Sequence, residues 1–142
     1  MVRKLDDRVS VAPQIAVGDV EALARAGFTT LVNNRPDGEA ADQATAAAMA
    51  AAAQSAGLTY HEIPVSPSGI QIDQVETMAA VLRDATGPVL AYCRSGTRST
   101  NLWALASATL GEDPQRLISA AGDAGYDIAG LAPTLRQLSP GT

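Results

Sequence analysis

The sequence predicts an α/β sandwich, a parallel sheet covered by helices on both faces. Three observations carry that reading. Short apolar runs alternate with helical patterns along the chain, in the order βαβαβαβααα. The strand runs, Val89-Leu-Ala-Tyr92 above all, are apolar throughout instead of alternating, as strands buried on both faces are. Glycines fall where helical periods stop, at Gly27, Gly57, Gly87 and Gly111.

Val9-Ser-Val11 is the first strand, stopped by Pro13. Residues 17–26 then place Val20, Leu23 and Ala24 on one helical face, with Gly27 as a left-handed stop. Phe28-Thr-Thr-Leu-Val32 is β-branched and apolar, a second strand, and residues 33–39 (Asn-Asn-Arg-Pro-Asp-Gly-Glu) have the turn chemistry of a loop. Residues 40–56 are dominated by alanine and predict a helix closed by Gly57. Residues 58–63 give a third strand, and Pro64 to Gly69 a loop with two prolines, Ser66 and Ser68 serving its turn. Ile72, Val75, Met78, Ala79 and Leu82 recur at helical spacing. The fourth strand is Pro88–Tyr92. Its following helix has Leu102, Leu105, Ala106 and Thr109 on one face and Trp103 off it, lining a pocket, meeting a second copy or simply exposed. Asp113-Pro114 restarts the chain as N-cap and N1, and Asp127 caps a last helix through Ile128, Leu131, Leu135 and Leu138. The whole, residues 1–142, reads as one domain with loose ends at 1–7 and 139–142.

A chain of 142 residues buries roughly 68% of its unfolded surface, so no disulfide or metal staple is required. The net charge of −5 argues against nucleic acid or an anionic membrane as partner; any affinity for anions must be local to one loop. A single cysteine fits a reducing compartment. The charged start and the lack of a run of about 18 apolar residues point to a cytoplasmic protein. One Cys and one His (His61, within the third strand) do not make a metal site, and no cofactor is expected.

Ligands of parallel sheets bind where strands end at their carboxyl side. Three loops leave there, after Val32, Ile63 and Tyr92, and the third is Cys93-Arg-Ser-Gly-Thr-Arg98-Ser99. Strand, tight loop and helix aim backbone N–H groups at an anion. Gly96 supplies the backbone freedom such a cradle needs, with Arg94, Ser95 and Thr97 beside it. Arg98 can grip two oxygens at once, and Ser99, near the helix N-cap, can reach the sulfur. A helix N-terminus and neighbouring guanidinium groups favour thiolate over thiol, so Cys93 is the candidate nucleophile. Arg35, leaving the second strand, is a candidate second anion contact.

At these residues the loop resembles the six-residue active-site loop of rhodanese-type sulfurtransferases. It also resembles the Cys-x5-Arg phosphate loop of protein-tyrosine and dual-specificity phosphatases, but is one residue short, with Tyr92 where a histidine is common. Beyond the loop, Val9 to Gln14, residues 24–39 and Tyr60-His-Glu-Ile-Pro-Val65 resemble, in that order, the phosphatase-like domain family of beta-lactamase hydrolase-like proteins over roughly residues 5–138. The resemblance implies a dual-specificity-phosphatase-like α/β fold carrying a loop of rhodanese length; the Asp-Val-Arg segment typical of rhodanese domains is absent. Dual-specificity phosphatases carry an aspartic general acid upstream of the loop, whereas Ile63 to Gly69 here holds no carboxylate. Asp37 or Glu39 is the candidate substitute, although both also suit turn and cap roles. Sulfur transfer needs no such acid, so a sulfurtransferase working through a Cys93 persulfide on thiosulfate or a persulfide is the first expectation. The alternative is a phosphatase working through a Cys93 phosphoenzyme on a phosphate ester. A pseudo-enzyme that binds an anion is the third.

Overall fold

The computed structural model describes residues 1–140. Its sheet has five strands, β1 (Arg3–Lys4), β2 (Val9–Ala12), β3 (Thr30–Asn33), β4 (Thr59–Glu62) and β5 (Val89–Tyr92), in the spatial order β1-β2-β5-β3-β4. The last four are mutually parallel, and β1 pairs antiparallel with β2. β5 lies at the centre: Val89 stands opposite both Val9 and Thr30, and Tyr92 opposite both Ala12 and Asn33. All four of its residues are buried, as its unbroken apolar run requires.

Successive strand residues point to opposite faces, and two cores result. Val9, Val11, Val32, Val89 and Ala91 pack on α3 (Ile72–Asp84), α4 (Thr97–Thr109), α5 (Pro114–Asp123) and α6 (Ala132–Leu138). Leu31, Leu90 and Tyr92 pack on α1 (Val20–Arg25) and α2 (Ala46–Ala56). This is the three-layer parallel sandwich that the sequence predicts.

Several details differ from the expectation. Residues 1–7 are not a loose end, because β1 is paired and Leu5 enters the core; of the expected loose tail, residues 141–142 lie outside the described residues. The alanine-rich helix begins at residue 46, not 40, because Thr45 accepts the Ala48 N–H as N-cap and Asp37 Oδ1 accepts the Ala46 N–H at 2.8 Å. Residues 17–19 form a 3-10 turn ahead of α1. A 3-10 turn, Ala129–Leu131, likewise precedes α6, with Asp127 Oδ1 accepting the Ala129 N–H. Trp103 is not exposed, though it contributes to the wall of a cleft beside Asp6 and Glu112: α4 runs between the sheet and its neighbouring helices and is buried on nearly every side. Trp103 is 1% exposed and its indole N–H donates to Asp6 Oδ2 at 3.2 Å.

Candidate active site

β5 delivers the chemistry to the carboxyl edge of the sheet. Tyr92 faces the α1–α2 layer, so the next residue, Cys93, turns toward α4. Cys93 is fully buried at the floor of its loop, and its Sγ accepts the Gly96 N–H at 3.1 Å. Gly96 is the N-cap of α4 with φ +93°, a conformation that favours glycine. A side chain there would also collide with Tyr126, whose hydroxyl occupies the space that a Cβ would need. Ser95 and Thr97 are joined through their hydroxyls at 3.1 Å, and the Ser95 hydroxyl accepts the Thr97 N–H. Arg94 is exposed on the rim, and its carbonyl accepts the Gln14 N–H from the end of β2.

Arg98, in the first turn of α4, is held from one side. Its Nη1 donates to Glu39 Oε2 and to the Val65 carbonyl, each at 2.8 Å, and its Nη2 donates to Glu39 Oε1 at 2.8 Å. A guanidinium has five N–H groups in a planar fork. Glu39 and Val65 take three of them, so the edge formed by Nε and the second Nη2 hydrogen is left for an anion. The Glu39 hydrogen bonds raise the Arg98 pKa, with a further contribution from the neighbouring Cys93.

Glu39 is also the partner of Arg35, whose Nε lies 3.0 Å from Oε1. Hydrogen bonds from Arg98, outweighing the opposing effect of burial and reinforced by Arg35, lower the Glu39 pKa to about 2. It is therefore ionised near neutrality and cannot act as the general acid expected of it. Asp37 is spent differently: it is exposed and caps α2 through the Ala46 N–H. Arg35 is also corrected. Only 5% exposed, it binds Glu39 and Gln14 Oε1 instead of presenting itself to a ligand, so it steadies the carboxylate that steadies Arg98. Ser99, expected near the sulfur, lies in the first turn of α4 and donates instead to Asn34 Oδ1 at 2.8 Å. Ser66 and Ser68 form a turn, as expected.

Three contributors escaped the sequence. Asn34 is fully buried; it accepts from Ser99 and donates to the Ile63 carbonyl at 2.9 Å, tying together the loops after β3 and β4 and the start of α4. It stands within the Asn33-Asn-Arg-Pro-Asp-Gly38 run that reads as one loop, so nothing in the sequence sets it apart. Tyr126 reaches the cysteine loop from the connection after α5, and Arg3 reaches that same connection from β1. Both are far from Cys93 in sequence. A wide cleft of about 580 Å³ lies elsewhere, lined by Asp6, Asp7, Glu112, Asp113 and Asp123 among others. Its carboxylates outnumber the single guanidinium of Arg116 there, so this cleft is less suited to an anionic ligand than the cysteine loop.

Comparison with known proteins agrees with this geometry. Residues 1–110 match the family described as the phosphatase-like domain of beta-lactamase hydrolase-like proteins. A beta-lactamase hydrolase-like protein of Agrobacterium fabrum is 31% identical over 96% of this chain, which spans about a third (32%) of that relative's length. A candidate phosphatase of Neisseria meningitidis is 35% identical, each chain covered to 96%, with a TM-score of 0.80. A mutant form of Tk-PTP shares the fold at a TM-score of 0.76, with 16% identity over 96% of this chain and 93% of its own. These likenesses support the phosphatase alternative over sulfur transfer, which loop length and the missing acid had favoured. Loop length is one local count, whereas the overall framework superposes on solved phosphatase-like structures over 96% of the chain. The chain belongs to the family of phosphatase-like domains of beta-lactamase hydrolase-like proteins.

Proposed function

We propose that this domain is a cysteine-dependent phosphatase acting on phosphate monoesters whose leaving group needs no enzymatic proton donor. The observation that carries this reading is the half-used Arg98 fork beside Cys93: one edge is fixed by Glu39 and the other is available to two phosphoryl oxygens. The Gly96 N–H and the other amides at the start of α4 supply the remaining donors. The Cys93 sulfur forms a bond to phosphorus while the ester P–O bond breaks, and the electron pair departs on the ester oxygen. Water then attacks the phosphocysteine, the S–P bond breaks, and the sulfur returns as thiolate with release of inorganic phosphate.

The leaving group follows from what is missing. Glu39 is ionised, Asp37 caps a helix, and Pro64 to Gly69 holds no carboxylate. General acid catalysis contributes about 10²–10⁴-fold. A phenol, with a pKa of about 10, leaves without it far better than an alkyl alcohol does. Aryl phosphates are therefore the expected substrates. The test compares p-nitrophenyl phosphate, phenyl phosphate and an alkyl phosphate on the wild type and on Cys93→Ser. Cys93-dependent turnover falling by at least about 100-fold from aryl to alkyl ester is expected. Transfer of sulfur from thiosulfate to cyanide without phosphate release would overturn the proposal.

A further inference from the structure

We propose that Tyr126 is a positioning residue for the nucleophile, acting through the single peptide unit that joins Ser95 to Gly96. The Tyr126 hydroxyl donates to the Ser95 carbonyl at 3.1 Å, and the Gly96 N–H of that same peptide donates to Cys93 Sγ at 3.1 Å. A trans peptide is planar, with its C=O and N–H pointing in opposite directions. Gripping the oxygen therefore aims the N–H. Donation into the carbonyl also polarises the peptide and strengthens the hydrogen bond that its N–H makes to sulfur.

The grip is built, not incidental. Tyr126 is anchored at its own backbone, where its N–H donates to the Ala121 carbonyl at 2.8 Å. Arg3 clasps the preceding turn, donating from Nη1 to the Ala124 carbonyl at 2.8 Å, and Gly125, at φ +99°, leaves room for that guanidinium. Gly96 in turn lacks the side chain that would displace the phenol. Burial, opposed by Arg3 and reinforced by Cys93, raises the Tyr126 pKa, so the hydroxyl keeps its proton and remains a donor. That proton is committed to Ser95, which makes Tyr126 a support for the loop and not a proton source for the leaving group.

The inference concerns the same cysteine as the proposed phosphatase, but its test does not require turnover. Tyr126→Phe removes one oxygen and keeps the ring. Cys93 alkylation by iodoacetamide at pH 6–7 is expected to slow about 3- to 10-fold, the scale of one neutral hydrogen bond, and the difference should vanish near pH 10, where a thiol ionises unaided. Arg3→Met, which loosens the turn while keeping the phenol, should slow alkylation in the same direction by less. If wild type and Tyr126→Phe alkylate equally at every pH, the inference is wrong. A uniform loss at all pH values with a collapsed melting temperature would also overturn it, since that is a merely structural role. If alkylation responds as expected but the wild type releases no phosphate, the positioning role stands and the phosphatase reading falls.

Discussion

Glu39 decides how Arg98 is presented, and its ionisation gives the site an acid limit. Its pKa in the folded protein, about 2, lies below the ordinary 4.5 because Arg98 and Arg35 bind the charged form. A carboxylate with a depressed pKa contributes stability that is fully present above about pH 4.5 and is lost as pH falls toward about 2. Glu39→Gln leaves two largely buried guanidinium groups without a counter-charge, Arg35 at 6% and Arg98 at 16% side-chain exposure. Loss of about 3 kcal/mol at pH 7 is expected. In urea unfolding from pH 7 to pH 2, the difference between wild type and Glu39→Gln should shrink below pH 4.5. A constant difference would show that the carboxylate's charge plays no part. The variant should also lose aryl phosphatase activity at neutral pH, since Arg98 then loses its two-point carboxylate partner and keeps only the Val65 carbonyl to fix its orientation.

At the scale of elements, the site depends on one side chain that belongs to none of the catalytic loops' obvious chemistry. Asn34 links the ends of β3 and β4 to α4, so Asn34→Ala strands the Ser99 hydroxyl and the Ile63 carbonyl inside the protein. A cost of about 2–4 kcal/mol is expected from two unpaired buried groups, while Asn34→Asp keeps an acceptor for Ser99 but sets a carboxylate oxygen against the Ile63 carbonyl and should also destabilise; thermal melts of both variants check this. What the sequence disclosed about these elements follows from how local their causes are. α3 was legible because it has one buried face, and β5 because a centre strand has two. Cys93, Gly96 and Arg98 were legible because their chemistry is contiguous. α4 misled because a helix covered on nearly all sides has no distinct polar face, which hid the burial of Trp103. The alanine run concealed its true start because propensity favours helix equally at 40 and 46, and only Asp37 and Thr45 choose between them. β1 is two polar residues that are a strand only because β2 is there. Arg3, Asn34 and Tyr126 carry no signature of their own; long-range folding alone gives each its role.

For the molecule as a whole, the two cores share one sheet, so damage on one face should be felt on the other. Met49, fully buried in α2, belongs to the core opposite Trp103. Met49→Ala is expected to cost about 2–5 kcal/mol. The loss should appear undiminished in the fluorescence of Trp103, on the far side of the sheet, and coincide with the loss of helical circular dichroism. Non-coincident transitions would mean that the layers unfold separately. The register of the sheet also has a bearing on how the protein comes into being. β5 lies between β2 and β3, yet it is the last strand made, about 80 residues after β2. At ordinary rates of synthesis that interval is roughly 4–16 s, during which β2 can pair only with β1 and the sheet has no middle. Cys93 follows the final strand directly. The same insertion that completes the sheet therefore places the sulfur at its carboxyl edge, and the groups that hold the loop around it, Gly96 and later Tyr126, are made only after the sheet has its middle.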